Sequence, residues 1–95
     1  MKTITLQIGN SDDKLTQYEW SLFHGLVNER LNKDPAITIH FSGCSDASKP
    51  WQNACWIFVC HESCDIADLK GDLVHYRDKY RQDSIAWTEG DTAFV

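Results

Sequence analysis

The sequence is short of positive charge. Its 95 residues hold 9 lysines and arginines against 14 aspartates and glutamates, which gives a formal net charge of −5 at pH 7. A general nucleic-acid binder needs a basic face, so this balance argues against direct binding of DNA or RNA. It leaves room for a partner that has a basic surface.

Long apolar runs are also missing. No segment approaches the roughly 20 apolar residues of a membrane-spanning helix. The first residues lead directly into an alternating strand pattern, without the apolar segment of a secretory signal peptide. We therefore expect a cytoplasmic protein with no membrane contact, whose four cysteines are reduced thiols.

The chain carries no motif that fixes a reaction. Gly9 stands alone, and Gly43 has no partner at the interval of a phosphate-binding loop. His24 and His75 fall off the apolar stripes of their predicted helices, which indicates solvated rather than catalytic side chains. We expect a binding protein rather than an enzyme, with no catalytic residue and no cofactor.

The cysteines are too far apart to share one zinc ion. Cys44 and Cys55 lie near one end of the predicted central strand, whereas Cys60 and Cys64 lie near the other end. The strand between Cys55 and Cys60 spans about 16 Å at its normal rise. A tetrahedral site has bonds of only about 2.3 Å, so the four cysteines cannot share one zinc ion, and a half-site of Cys60, His61 and Cys64 is short of a ligand. A hard cation on the loop aspartates is the other alternative, but their spacing matches no known cation-binding loop: Asp12, Asp13, Asp46 and Asp83. We therefore predict no metal site.

What the sequence does contain is one strongly apolar strand. Residues 54–60 read ACWIFVC, and four of these seven are β-branched or aromatic. Trp56 and Phe58 point to one face, while Ile57 and Val59 point to the other. Both faces therefore need cover, which is typical of a central strand.

The other elements are predicted from periodicity and caps. Residues 3–8 alternate as a half-buried strand, and the second strand places Ile37, Ile39 and Phe41 on one face. The T-x-x-E capping box of Thr16 and Glu19 begins a helix. Its apolar stripe is formed by Trp20, Phe23, Val27 and Leu31, widened by Leu22 and Leu26.

In the second half of the chain, a second helix and a further strand are predicted in the same way. Asp65 caps a second helix, whose apolar stripe is formed by Ile66, Leu69, Leu73, Tyr76 and Tyr80. Residues 84–88 read as a strand. Gly90 and Asp91 match a hairpin turn, after which residues 92–95 can return as a short terminal strand.

This order predicts a single α+β domain over residues 1–95. The β-α-β-β-α-β pattern is that of the ferredoxin-like sandwich, with antiparallel sheet order 4-1-3-2, both helices on one face and a short C-terminal β-hairpin strand. The other face is partly apolar because of Ile57 and Val59. We expect a second copy of the chain to cover it, which makes a homodimer; the C-terminal hairpin is the alternative cover.

The topology brings three polar loops to one end of the sheet: residues 9–14, 42–53 and 81–83. Loops on a rigid scaffold commonly carry function, and a tryptophan beside amides can read a ligand. The alternative is that these side chains only cap helices and close turns, with Trp51 plugging the sandwich. The predicted ligand- or partner-binding residues are Asn10, Ser11, Asp12, Trp51, Gln52, Asn53, Arg81, Gln82 and Asp83.

Three segments, residues 8–16, 50–56 and 82–87, resemble segments of small proteins encoded by bacteriophages and prophages. The resemblance covers about a quarter of the chain and implies a gene from a mobile element, acting in the host cytoplasm. Such proteins often bind a host defence protein or sequester a nucleotide signal. A nucleotide sponge would need cations, and the loop end offers only Lys14, Lys49 and Arg81.

The sequence therefore predicts a small non-catalytic binding protein whose partner is a small-molecule ligand or a host protein. Two alternatives remain open. One is a dimeric ferredoxin-like enzyme with a cleft on the open sheet face and His40 as its titrating group. The other is a protein–protein blocker that uses the acidic surface and loses affinity with added salt.

Overall fold

The computed structural model describes residues 2–10, 12–46 and 51–95, in which it places four strands and two helices. They are β1 (Lys2–Gly9), α1 (Gln17–Asn32), β2 (Ile37–Cys44), β3 (Asn53–Cys60), α2 (Ile66–Lys79) and β4 (Ala86–Asp91). The predicted β-α-β-β-α-β order is confirmed. Neither helix of this part of the chain is long and apolar enough to cross a membrane.

The strands form one antiparallel sheet in the order β2-β3-β1-β4. Read from the opposite edge, this is the predicted order 4-1-3-2. At the centre of the sheet, Leu6 of β1 lies between Trp56 of β3 and Trp87 of β4. The ferredoxin-like α+β topology is therefore confirmed.

The core lies between the two helices and one face of the sheet. Strand residues Leu6, Trp56 and Phe58 are fully buried there. They pack in one cluster with the helix residues Phe23, Val27, Leu31, Leu69 and Leu73. Leu22 and Ile66, predicted to join the stripes, are instead exposed, because each lies at the margin of its helix's apolar stripe.

The opposite side of the sheet carries neither helix, and we call it the open face. Strand alternation and register assign its residues: Thr3, Thr5, Gln7 and Gly9 of β1, Thr38, Phe41 and Gly43 of β2, Asn53, Cys55, Ile57 and Val59 of β3, and Ala86, Thr88 and Gly90 of β4.

Both predicted helix caps are present. The Thr16 hydroxyl accepts a hydrogen bond from the Glu19 backbone N–H at 3.1 Å, and the Glu19 carboxylate accepts one from the Thr16 N–H at 3.2 Å. In the second helix, the Asp65 carboxylate accepts from the Asp68 N–H at 2.9 Å. Local hydrogen bonds thus begin each helix where the sequence placed it.

An arginine cluster joins the two helices. Arg30 of α1 is only 7% exposed, and its guanidinium donates to Asp72 at 2.7 Å, to Asp34 at 3.0 Å and to Asp68 at 3.5 Å. These bonds raise the pKa of Arg30 against the opposing effect of burial. The pKa of Asp34 is lowered, first by the Ala36 backbone N–H and then by Arg30.

The predicted alternation of the second strand is wrong beyond Ile39. The pairing of β2 with β3 shifts between Ile39, which faces Phe58, and Phe41, which faces Ile57. One extra residue, His40, is accommodated as a β-bulge, and a bulge turns every later side chain to the other face. Phe41 therefore lies on the open face and is 57% exposed.

The predicted C-terminal hairpin is also wrong. Gly90 and Asp91 continue β4 and pair with Thr3 and Lys2 of β1. Gly90 lacks the positive φ that a type I′ turn requires. The first residues of β1 offer backbone groups to these positions, so the ladder extends in place of a turn. Residues 92–95 form no strand, although the Thr92 hydroxyl hydrogen-bonds that of Thr3.

Candidate functional site

The three predicted loops do meet at one end of the sheet. β1 and β2 end there, and β3 and β4 begin there, because the pairs run antiparallel. Ser11 and residues 47–50 lie outside the described residues. The other predicted site residues divide into side chains that hold the loops together, an acidic notch, and side chains near the open face.

Asn10 organises the loop between β1 and α1. It is 3% exposed, and its side chain accepts from the Leu15 N–H at 2.9 Å while donating to the Leu15 carbonyl and to Gln52 Oε1, each at 3.0 Å. Its own N–H donates to the Gln52 carbonyl at 2.7 Å. Asn10 therefore ties two of the three loops together from a buried position.

Gln52 extends this link to α1. Its side-chain amide donates to Gln17 Oε1 at 2.7 Å and accepts from Gln17 Nε2 at 3.1 Å. The Trp51 carbonyl accepts from the Ser45 hydroxyl at 3.3 Å, and the same hydroxyl accepts from the Asn53 N–H at 3.0 Å. Trp51 as a whole is 44% exposed.

The two aspartates of the predicted site, Asp12 and Asp83, lie in a separate acidic notch. A small pocket of about 220 Å³ is lined by Gly9, Asp12, Gln82, Asp83 and Ser84. Lys14 lies between two of these residues, with its ammonium 3.6 Å from Asp12 and 3.3 Å from Asp83. Arg81 instead pairs with Glu19 at 2.8 Å. Among the described residues, no three His, Cys, Asp or Glu side chains are placed to hold a metal ion.

A larger depression, of about 550 Å³, lies on the open face where the sheet approaches the loops. We call it the face depression. It is lined by Gln7, Phe41, Gly43, Cys44, Ser45, Asn53, Ala54 and Cys55. Asn53 belongs to both the predicted loop cluster and this depression. His40, at the bulge, does not belong to its lining.

Two glycines shape the face depression. A Cβ built on Gly43 would lie 3.0 Å from the Phe41 ring, so the ring rests directly over this glycine. A Cβ on Gly9 would lie 2.6 Å from Asn53 Oδ1, which places the amide over the second glycine. Because glycine has no side chain, an aromatic ring and an amide can lie directly against the sheet at these two positions.

The open face carries no charge at any of its described strand positions. Its polar groups are threonine hydroxyls and the amides of Gln7 and Asn53; its apolar groups include Phe41, Ile57 and Val59. The exposure is uneven, since Val59 is only 3% exposed. The face depression can therefore offer ring stacking and neutral hydrogen bonds, but no cation for a phosphate.

Sequence reasoning did not find Gln7, Phe41 or Gly43 as site residues. Gln7 looked like an ordinary outward position of an alternating strand, and Phe41 like a core residue. The spacing of Gly43 two residues after Phe41 was the available signal, because a glycine in a strand often marks a bulge or a close approach.

Comparison with a solved structure at a TM-score of 0.52 supports the fold. No family model matches the sequence, and no curated protein matches it. A crystal structure assigned as a glycine cleavage system transcriptional repressor matches 94% of this chain and 45% of its own, with 11% identity and a TM-score of 0.52. Formyltetrahydrofolate deformylase from Burkholderia mallei ATCC 23344 matches 95% of this chain and 27% of its own, with 11% identity and a TM-score of 0.48. The chain spans less than half of each.

Proposed function

We propose that this protein binds a small, planar, uncharged heterocycle of the nucleobase or nucleoside class in the face depression. The observation that carries the proposal is the Phe41 ring, which the bulge turns to the open face and which rests over Gly43. An aromatic ring in this position offers one flat side to a planar ligand. Base–aromatic stacking contributes about 1–3 kcal/mol by alanine substitution.

The amides give this surface a means of discrimination. Gln7 and Asn53 both line the face depression, and each side chain presents a carbonyl acceptor and an NH₂ donor. Such a pair matches the mixed donors and acceptors on the edge of a nucleobase. The uncharged open face favours the base or nucleoside over a polyphosphate, whose charge would need lysine or arginine.

In this proposal one loop residue contacts the ligand directly, and other loop residues hold the loop in place. Asn53 is retained as a ligand contact. Gln52 and Asn10 hold the loop that carries it, through bonds of 2.7–3.1 Å with each other and with Gln17. Trp51 and Gln82 remain predicted contacts from the loop end. The enzyme alternative is less supported, since His40 does not line the face depression.

The test is an affinity titration with adenosine, guanosine, cytidine and uridine against wild type and three variants. Phe41→Ala should weaken binding at least about fivefold, the lower end of the stacking contribution. Phe41→Leu, which keeps apolar bulk but no ring, should also weaken it. Phe94→Ala is the matched control, because Phe94 is 78% exposed and belongs to neither strand nor depression. Equal affinities for Phe41→Ala and wild type would refute the proposal.

We also propose that two copies of the chain associate through the open face. Each copy has a formal charge of −5, yet the described strand positions of this face are uncharged. Two copies can meet there without like charges opposite one another. Phe41 pairs across the strands with Ile57, so a second copy that covers Ile57 also closes one side of the face depression.

The resemblance to phage-encoded proteins adds a biological role to the proposal. Binding a nucleoside-like signal in host cytoplasm would sequester it, whereas an acidic blocker would bind a host defence protein. The two roles separate experimentally. A complex with a host protein recovered by pull-down should weaken with added salt, while stacking on an uncharged face should change little.

A further inference from the structure

A thiol and an imidazole meet on the helix side of β2. The Cys44 sulfur lies 3.4 Å from His24 Nε2, within the range of a hydrogen bond to sulfur. Cys44 is an exposed, free cysteine at the last position of β2, and His24 projects from the middle of α1. This pair lies outside the proposed ligand contacts, although the Cys44 residue borders the face depression.

The bulge in β2 creates the pair. Without the extra residue at His40, strict alternation would place Cys44 on the face opposite Ile37 and Ile39, which lie on the helix side. The shifted register instead pairs Cys44 with Ala54, a core residue on the helix side, and so turns the thiol toward α1. Sequence periodicity alone therefore could not reveal this contact.

His24, which was predicted to be solvated, is instead half-buried and lies against two aromatic rings. Its ring centroid lies 5.2 Å from that of Trp56 and 6.1 Å from that of Trp20. Partial burial among these rings lowers the pKa of His24, because it disfavours the imidazolium. The side chain is therefore a neutral imidazole near pH 7. In the tautomer that carries its proton on Nδ1, Nε2 accepts the hydrogen bond of the Cys44 thiol at 3.4 Å, and the lowered pKa makes it a weak base that takes up the proton only as the sulfur reacts.

The remaining cysteines differ from Cys44. Burial and the neighbouring Cys64 thiol raise the pKa of Cys60 to about 12, which keeps it protonated and unreactive. Cys55 and Cys64 are partly buried. Among the described residues, only Cys44 combines an exposed thiol with a hydrogen-bonded imidazole.

We infer that Cys44 is a nucleophilic thiol, with His24 as its base, that accepts small thiols by exchange with a low-molecular-weight disulfide. The Cys44 proton passes to His24 Nε2 as the sulfur attacks one sulfur of the disulfide. A new S–S bond forms, the disulfide's own S–S bond breaks, and the departing thiolate takes the proton from the imidazolium. The product is a mixed disulfide on Cys44 and one free small thiol.

The test uses DTNB as the disulfide, with mass-spectrometric mapping of the labelled cysteine in the folded chain. Cys44 should react first, and Cys44→Ser should remove the fast phase. His24→Gln, which keeps volume between the rings, should slow Cys44 about tenfold, less than the 10²–10⁴ of a fully positioned enzymatic base. His75→Gln is the matched control, because His75 lies on α2 and its ring is next to that of Tyr76, with the ring centroids 6.1 Å apart. An unchanged Cys44 rate in folded His24→Gln would overturn the inference.

A second measurement covers the case in which His24→Gln fails to fold. The Cys44 rate in native wild type is compared with its rate in the same chain unfolded in urea, after correction for the effect of urea on a free thiol. A native rate at least several-fold faster supports activation by the fold. A native rate equal to or below the unfolded rate would show an ordinary surface thiol.

Discussion

Arg30 joins the two helices through three aspartates, and the strength of that link can be measured. Arg30→Met should lower the free energy of unfolding by about 2 kcal/mol, because the variant lacks the charge-assisted hydrogen bonds that the buried guanidinium makes. The loss stays below that of a fully buried ion pair, since two of the three carboxylates are substantially exposed and return to water. Urea unfolding at neutral pH gives the value.

Arg77→Met is the control for this prediction. Arg77 pairs with its own sequence neighbour, Asp78, at the surface. A surface pair of this kind contributes between zero and about 1 kcal/mol. Equal losses in the two variants would show that the Arg30 cluster does not hold the helices together.

The same cluster predicts an acid dependence. The pKa of Asp34 is lower in the folded chain than in the unfolded chain, where it is about 3.8. Asp34 therefore stabilises the fold at pH values above its unfolded pKa, and this contribution is lost as the pH falls through its folded pKa. Part of the depression comes from Arg30. Unfolding experiments between about pH 5 and about pH 2 should show a smaller loss of stability in Arg30→Met than in wild type. A steeper loss of stability in Arg30→Met than in wild type would contradict this prediction.

Phe41 and Trp51 make opposing predictions about where the ligand binds. A ligand at the loop end would be lost in Trp51→Ala, whose half-exposed ring can be removed with little loss of thermal stability. A ligand in the face depression would be lost in Phe41→Ala. Titration of both variants with the nucleoside that wild type binds best decides between them: loss only in Trp51→Ala would move the site to the loops.

At the scale of elements, α2 contains a glycine whose replacement should stabilise the helix. Gly71 lies inside α2, and a Cβ built there meets no atom within 4 Å. Gly71→Ala should therefore raise the free energy of unfolding by about 0.5–1 kcal/mol through helix propensity alone. Gly43→Ala is the contrasting variant, because its Cβ would press on the Phe41 ring at 3.0 Å. Thermal and urea unfolding should show a larger gain in stability for Gly71→Ala than for Gly43→Ala, and a destabilised Gly71→Ala would contradict the account.

The elements also show which features a single sequence can give. The capping box at Thr16 and the cap at Asp65 involve residues three apart, so they were predicted together with the element order. The bulge at His40 depends on how β2 pairs with β3 across the sheet, a non-local choice that alternation cannot express. The face depression and the Cys44–His24 contact both follow from that bulge, and so both were missed.

At the scale of the whole molecule, association through the open face has a direct test. Wild type should sediment as a dimer at micromolar concentration, and Ile57→Lys should sediment as a monomer, because it places a charge in the centre of the uncharged face. Val74→Lys is the control, since Val74 is 43% exposed on α2, away from the open face. A monomeric wild type would refute the dimer.

The central claim is that the open face binds a planar heterocycle over Phe41, and NMR mapping tests it most directly. Isotope-labelled protein would be titrated with adenosine, guanosine, cytidine and uridine in turn. The account predicts that at least one nucleoside shifts the Phe41 ring signals, the Gly43 amide and the side-chain NH₂ groups of Gln7 and Asn53, and that Phe41→Ala removes these shifts. Shifts confined to the acidic notch around Asp12 and Asp83, or no shifts with any of the four, would contradict it.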